Sequence, residues 1–314
     1  MKTAHPFGVA NKSSSLTKNG FIIKGVGGLY TVQTADAFYM CSARGVFRNK
    51  KITPLVGDNV TIIIEDENEK TGAITTIHPR KNELKRPAVA NIDHVIITAS
   101  AAEPAFNPGL LDRFLVLAAH AGVDAVICIT KCDLLHPKSK GQDLSDTLPF
   151  LPYKLAGYPL YFVAVKGNAI NNNDFSALRE VMAGKLSVLA GVSGAGKSSL
   201  VNALLPHAEL EIGEISTKLK RGKHTTRAAS ILPLGANPAD GFIVDTPGFS
   251  SLEIDVIPTR MLASYFVEFV PFIGLCKFND CLHAPQDKEK DCAVKRAVGE
   301  GIHPLRYESY MRML

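Results

Sequence analysis

No stretch of this 314-residue sequence approaches the roughly 18 to 20 unbroken apolar residues that a bilayer-spanning helix requires, which excludes such a helix. Met1 to Gly20 lacks the apolar core of a secretory signal. It is polar and rich in Ser, Asn and Lys, and reads as a mobile basic tail on a cytoplasmic chain, with no membrane among its partners. Internal repeats and extended low-complexity segments are also missing, which excludes a solenoid. Charged residues make up only 21% against 46% apolar, so the chain is globular, and its length allows two or three domains. The net charge of +5 is unevenly spread. Residues 1–90 carry 13 Lys and Arg against 7 Asp and Glu, a basic third suited to a polyanion such as RNA. Cysteine is sparse. Cys41, Cys128 and Cys132 are scattered, whereas Cys276, Cys281 and Cys292 crowd around His283. In a reducing compartment that crowding points to metal before disulfides.

Residues 21–78 contain five short apolar runs separated by Gly, Asp and charged residues. The runs are Phe21–Ile23, Leu29–Val32, Phe38–Cys41, Asn59–Ile64 and Gly72–Ile77, and they predict a small five-stranded barrel of the oligonucleotide-binding type. From His94 the texture becomes α/β. Strands are predicted at His94–Ala99, Val123–Ile129, Pro159–Val165, Leu186–Ala190 and Gly241–Val244. Helices are predicted from Asn107-Pro108 to about Ala121 and over Ser198–Leu205. That alternation implies a mostly parallel sheet with helices on both faces. Residues 136–157 read as an irregular loop, Pro258–Phe272 as an apolar helix, and the chain from Ala293 as a charged helical tail.

The strongest motif is a phosphate loop, Gly191-Val192-Ser193-Gly194-Ala195-Gly196-Lys197-Ser198, set between a strand and a helix that begins at Ser199. Its glycines let backbone N–H groups wrap phosphate, Lys197 is expected on the β- and γ-phosphates, and Ser198 on Mg²⁺. Thr130-Lys131-Cys132-Asp133 follows a strand. Asp133 can accept from N1–H and the exocyclic amine of guanine, a donor pair that adenine lacks, so the motif selects GTP. Lys131 would lay its stem along the base, and Ala164, in Val163-Ala164-Val165-Lys166-Gly167, would offer its N–H to guanine O6. Asp245-Thr246-Pro247-Gly248 supplies an Asp at a strand end for Mg²⁺ and a Gly N–H for the γ-phosphate. Arg221 to Arg227 contains Thr225 and Thr226, either of which would complete the Mg²⁺ shell; spacing does not choose between them. Phe249 stands where many GTPases carry a water-orienting Gln, so intrinsic hydrolysis should be slow. His224 is the candidate that could replace that Gln. Cys276-x₄-Cys281-x-His283-x₈-Cys292 offers a closed tetrahedral set for one structural Zn²⁺.

The order of these parts is unusual, because the base-reading motif precedes the phosphate loop. With Arg-Gly-Lys-His-Thr-Thr at 221–226, Asp-Thr-Pro-Gly-Phe at 245–249, Leu111-Asp112-Arg113-Phe114-Leu115 and the Cys/His cluster, the chain resembles the circularly permuted GTPases of small ribosomal subunit biogenesis. The resemblance implies a basic tail (1–20), an oligonucleotide-binding barrel (21–82), a permuted P-loop GTPase core (83–254) and a helical zinc-binding domain (255–314). It implies GTP hydrolysis stimulated by the small (30S) subunit, contact with its 16S rRNA near the decoding region late in maturation, release afterwards, a monomer, and catalysis by His224. Three departures stand out. Thr130 replaces the usual Asn, which puts a guanine N7 contact and some bracing of the loop in doubt. Val163 replaces a usual Ser, and the spacer before Cys292 is longer than usual. The rival reading is a nucleotide-binding rRNA adaptor with little hydrolysis. A third is a P-loop enzyme of another class, which base competition would reveal.

Overall fold

The computed structural model describes residues 16–45, 47, 52–85, 88–135, 143–164, 173–205, 229–249 and 257–314. Two compact units divide the chain, Met1–Arg80 and Lys81–Leu314.

In the first unit, strands β1 (Thr17–Val26), β2 (Leu29–Thr34), β3 (Phe38–Ala43), β4 (Asn59–Asp66) and β5 (Thr71–Ile77) form a closed ring. β1 pairs antiparallel with β2 and β4, β2 with β3, and β4 with β5. The parallel pairing of β3 with β5 completes the circle. Gly27 and Gly28, at φ +61° and +85°, turn β1 into β2, because a two-residue hairpin of this hand needs left-handed backbone at both positions. Alternate residues point inward, so Ile22, Val32, Tyr39, Cys41, Val60, Ile62 and Ile74 are fully buried. Buried Asp58 pairs with Arg80 through two bonds, Nε–Oδ1 at 2.7 Å and Nη2–Oδ2 at 2.8 Å, and Leu55 N–H donates to the same carboxylate. Every charge in this buried group therefore has a partner.

The second unit opens with a small hairpin, β6 (Glu83–Lys85) and β7 (Ala88–Ala90). Its main sheet contains β8 (His94–Ser100), β9 (Asp124–Thr130), β10 (Leu160–Val163), β11 (Leu186–Ala190), β12 (Ser230–Pro233) and β13 (Phe242–Phe249). The order is β10-β9-β8-β11-β13-β12, parallel throughout except at β12. Helices α1 (Pro108–His120), α2 (Leu151–Leu155), α3 (Asn173–Met182) and α4 (Lys197–Leu204) accompany it. Asn107 caps α1 by accepting from Leu110 N–H at 3.1 Å, with Pro108 at the first helical position, as the sequence predicts. Leu178 and Met182 of α3 and Leu200 and Leu204 of α4 pack on Ile96, Val126, Val163, Leu189 and Ile243 of the sheet.

Three local expectations change. α2 interrupts the predicted loop at 136–157; residues 136–142 lie outside the described residues. β13 runs on through Asp245-Thr246-Pro247-Gly248 to Phe249, and the irregularity in its pairing with β11 falls opposite that segment. The segment Pro258–Phe272 is not one helix. It forms α5 (Thr259–Leu262) and tight turns at 263–265 and 270–272. Phe266 is extended (φ −95°, ψ 102°), and it and Phe269 are fully buried, so packing overrides the apolar run's helical pattern.

The charged tail is two helices, α6 (Ala293–Arg296) and α7 (Pro304–Met313), separated by a turn at Gly299 (φ +98°). Phe266, Phe269, Val294, Ile302 and Tyr310 gather with Val116 of α1 into one apolar cluster. Arg306 of α7, only 1% exposed, crosses this contact. It donates to Asp112 of α1 and, through two nitrogens, to Glu268. Its guanidinium also lies 4.8 Å from the centre of the Phe266 ring.

Candidate functional site

β11 ends at Ala190, and the chain then turns through three glycines in left-handed or related backbone: Gly191 (φ +136°), Gly194 (+80°) and Gly196 (+84°). A Cβ on Gly191 would lie 2.2 Å from the carbonyl oxygen of Thr98, so the close approach of β11 to β8 requires glycine. Thr98 fastens the two strands by donating its hydroxyl to Ala190 O at 2.7 Å. Lys197, the first residue of α4, folds its ammonium back onto Gly191 O at 2.6 Å and Val192 O at 2.7 Å. Burial lowers its pKa, the direction expected of an ammonium held in a concave, partly dehydrated loop. Ser193, Gly194, Ser198 and Ser199 are exposed, while Ala195 is buried. Backbone N–H groups at the start of α4, with the lysine beside them, are the chemistry that could hold an anion.

The Thr130–Asp133 segment leaves the same carboxyl edge of the sheet. Thr130 ends β9, Lys131 takes left-handed backbone (φ +58°), and Cys132–Leu134 form a single tight turn that carries Asp133 at the surface. Thr130, 3% exposed, donates its hydroxyl across to Ala195 O of the phosphate loop at 2.7 Å, and Ala99 O lies at 3.3 Å. The bracing that the Asn-to-Thr departure put in doubt is therefore present, made by a hydroxyl. Lys131 Nζ donates to Glu103 O in the segment after β8, and Pro104 of that segment flanks Gly194. Sequence reasoning missed this segment, which carries no motif; its only sequence signal is its place after β8. Val163 ends β10 opposite Thr130 and is fully buried in the core. Its side chain is thus a packing residue, which accounts for an apolar side chain there. Ala164 follows it, partly exposed.

Asp245 and Gly248 lie on β13, the neighbour of β11. Thr130, Lys131, Asp133, Ala164, residues 191–199, Asp245 and Gly248 thus all lie on strands β9, β10, β11 and β13 or immediately after them. His224, Thr225 and Thr226 lie outside the described residues.

Cys276, Cys281, His283 and Cys292 converge, with their ligand atoms all within 4.8 Å of one another. His283 Nδ1 is 3.6, 3.5 and 3.4 Å from the sulfurs of Cys276, Cys281 and Cys292, and the sulfurs of Cys276 and Cys292 are 3.9 Å apart. A tetrahedron with bonds of about 2.3 Å to sulfur and about 2.0 Å to nitrogen has edges of about 3.5 to 3.8 Å. The four residues therefore fit a metal ion. Burial lowers the His283 pKa and favours neutral imidazole, the ligating form. Backbone N–H groups of Ala293 and Lys295 point at the sulfurs of Cys276 and Cys292, as suits thiolates. The hydroxyls of Tyr307 and Tyr310 on α7 donate to His283 O and Leu282 O, tying the ligand loop to that helix.

The chain matches the family model described as RsgA GTPase over residues 77–255 and that of the RsgA N-terminal domain over residues 19–74. The chain belongs to the RsgA GTPase family. Among the curated RsgA relatives, a small ribosomal subunit biogenesis GTPase from Alkaliphilus metalliredigens is 43% identical over 94% of this chain and 96% of its own length. A second, named RsgA 2, from Oceanobacillus iheyensis, is 45% identical over the same shares. Two solved structures are similar throughout. YjeQ from Thermotoga maritima superposes with a TM-score of 0.77 at 33% identity, covering 95% of this chain and 97% of that one. YloQ, described as a circularly permuted GTPase, gives 0.75 at 34% identity, covering 97% and 96%. The five-stranded barrel and the permuted nucleotide fold expected from the sequence are thus those of RsgA. Among the described residues, no helix is long and apolar enough to cross a membrane.

Proposed function

We propose that this chain is a cytoplasmic GTP-hydrolysing factor that binds the small (30S) ribosomal subunit through 16S rRNA during late maturation and is released after hydrolysis. Membership of the RsgA GTPase family makes it a GTPase, and the relatives' names supply the subunit. The observation that best supports the nucleotide site is the bond from Thr130 to Ala195, which couples the base-reading motif to the anion cradle despite 65 residues of separation.

In this reading Asp133 accepts from the guanine edge, Lys131 covers the base and Ala164 N–H meets O6. Residues Gly191 to Ser199 hold the phosphates, with Lys197 on the β and γ groups. Mg²⁺, arriving with GTP, would be held by Ser198, Asp245 and either Thr225 or Thr226, and would neutralise charge on the transferring phosphoryl group. His224 would orient the attacking water. Gly248 would sense the γ-phosphate, and its loss would relax the segments at 221–227 and 245–251. The metal of the Cys₃His cluster is zinc in this reading, structural because four protein ligands leave no open position. The parts would fall at 1–20, 21–82, 83–254 and 255–314, and the protein would act as a monomer.

Phosphate release measured with and without purified small subunits tests the proposal. Stimulation by the subunit is expected. GTP hydrolysis that stays at its intrinsic rate would instead favour a nucleotide-binding rRNA adaptor.

A further inference from the structure

Residue 130 occupies the position from which an asparagine in the usual motif would reach guanine N7. An asparagine amide has two N–H donors and a carbonyl, so it can brace a neighbouring loop and still donate to a base. A threonine hydroxyl has one proton. Here that proton is committed. Thr130 Oγ1 lies 2.7 Å from Ala195 O and 3.3 Å from Ala99 O, both acceptors only. The side chain is 3% exposed, and Gly196 packs so closely that a Cβ there would come within 3.1 Å of the hydroxyl oxygen. Rotating the hydroxyl toward a ligand would leave a buried carbonyl of the phosphate loop without its donor. Purine N7 is an acceptor only, so a hydroxyl in this state has nothing to offer it.

We propose that Thr130 is a positioning residue which fastens the phosphate loop to the base-reading strand, and that its side chain leaves guanine N7 unread. Recognition then runs through the edge that meets Asp133. Guanine triphosphates that lack the N7 acceptor then bind as GTP does, where an asparagine contact to N7 would disfavour them. The proposal rests on the nucleotide pocket proposed above.

Displacement of a fluorescent guanine nucleotide by GTP, 7-deaza-GTP and ATP tests it. Loss of one neutral hydrogen bond to N7 would weaken binding by up to about tenfold. The expected result is 7-deaza-GTP within about threefold of GTP, with ATP far weaker. A larger penalty for 7-deaza-GTP, with ATP still rejected, would overturn the N7 inference while leaving the guanine pocket intact. ATP binding as well as GTP would sink the pocket reading itself, and the inference with it. Variants supply a second arm. Thr130→Ser keeps the hydroxyl and should keep the parent's 7-deaza ratio, with a KM for GTP closer to the parent's than that of Thr130→Val. Thr130→Val should raise KM for GTP and 7-deaza-GTP by the same factor. Thr130→Asn should create a preference for GTP over 7-deaza-GTP approaching about tenfold. A ratio that stays at unity in Thr130→Asn would contradict the placement of residue 130 beside N7.

Discussion

Replacing Arg306 by Met should damage the chain in a way that depends on pH, and the structure gives the size of the effect. The guanidinium is 1% exposed, and it faces Asp112 at 0% and Glu268 at 6%. One cation serves two carboxylates, so methionine would leave two like charges in an apolar pocket. Burial already raises the Asp112 pKa above its ordinary 3.8, with Arg306 as the largest opposing influence. Without Arg306, Asp112 would fold as the neutral acid. Supplying that proton at pH 7 to a group that ionises near 3.8 when unfolded costs about 4 kcal/mol, at about 1.4 kcal/mol per pH unit, which sets a ceiling on the deficit because burial raises this pKa in the parent as well. This agrees with the roughly 3 to 5 kcal/mol lost when a buried ion pair is broken from one side. At about 2 to 4 °C per kcal/mol, the Tm should fall by up to roughly 8 to 16 °C at pH 7. The sign of the pH dependence follows. In the variant the folded-state carboxyl pKa lies above the unfolded value, so its penalty grows as pH rises from 3.8 and shrinks as pH falls. At pH 5 the deficit should be only about 1 to 2 kcal/mol. The chain has no tryptophan, so thermal unfolding is best followed by far-ultraviolet circular dichroism, with zinc kept saturating. Asp112→Asn placed in the Arg306→Met background should recover much of the loss at pH 7. A variant that melts within about 2 °C of the parent at pH 7, or one with equal deficits at both pH values, would refute the reasoning.

Two further outcomes are expected. Gly191→Ala places a methyl group 2.2 Å from Thr98 O at φ +136°, so the loop must shift; nucleotide affinity should fall by at least about tenfold in a fluorescence titration, and an unchanged affinity would remove the loop from the site. Metal analysis should find one zinc per chain, and chelation should lower the Tm and speed amide exchange around residues 276–292, while Cys292→Ser should show the same defect without chelator; zinc-free protein with the parent's Tm and exchange would exclude a structural metal.

Several local structures at the proposed site could be read from the sequence because they depend on local spacing. The run from Leu186 through Ser199 is strand, glycine turn and helix in one uninterrupted segment, and it folds as written. Asn107-Pro108 starts α1 for equally local reasons. The ligands from Cys276 to Cys292 are close enough in sequence for their residue types alone to suggest a metal. What escaped depends on partners remote in sequence. Arg306 sits in a charged tail where solvent is the default, and only the approach of Asp112 and Glu268 makes it a core residue. Phe266 and Phe269 belong to a helix-like apolar run, but burying both against Tyr310 and Val116 breaks that run into turns. Thr130 reads in sequence only as a departure from asparagine; its bond to Ala195 is a tertiary contact that local spacing does not encode.

In the proposed pocket Asp133 and the phosphate loop close around one guanine triphosphate. The most direct measurement compares the affinities of the parent and of Asp133→Asn for GTP and for xanthosine triphosphate. The parent should prefer GTP, and the variant should lose GTP by about a hundredfold or more while gaining the xanthine nucleotide, because the donor–acceptor match is reversed. An Asp133→Asn protein that still binds GTP as the parent does would contradict it.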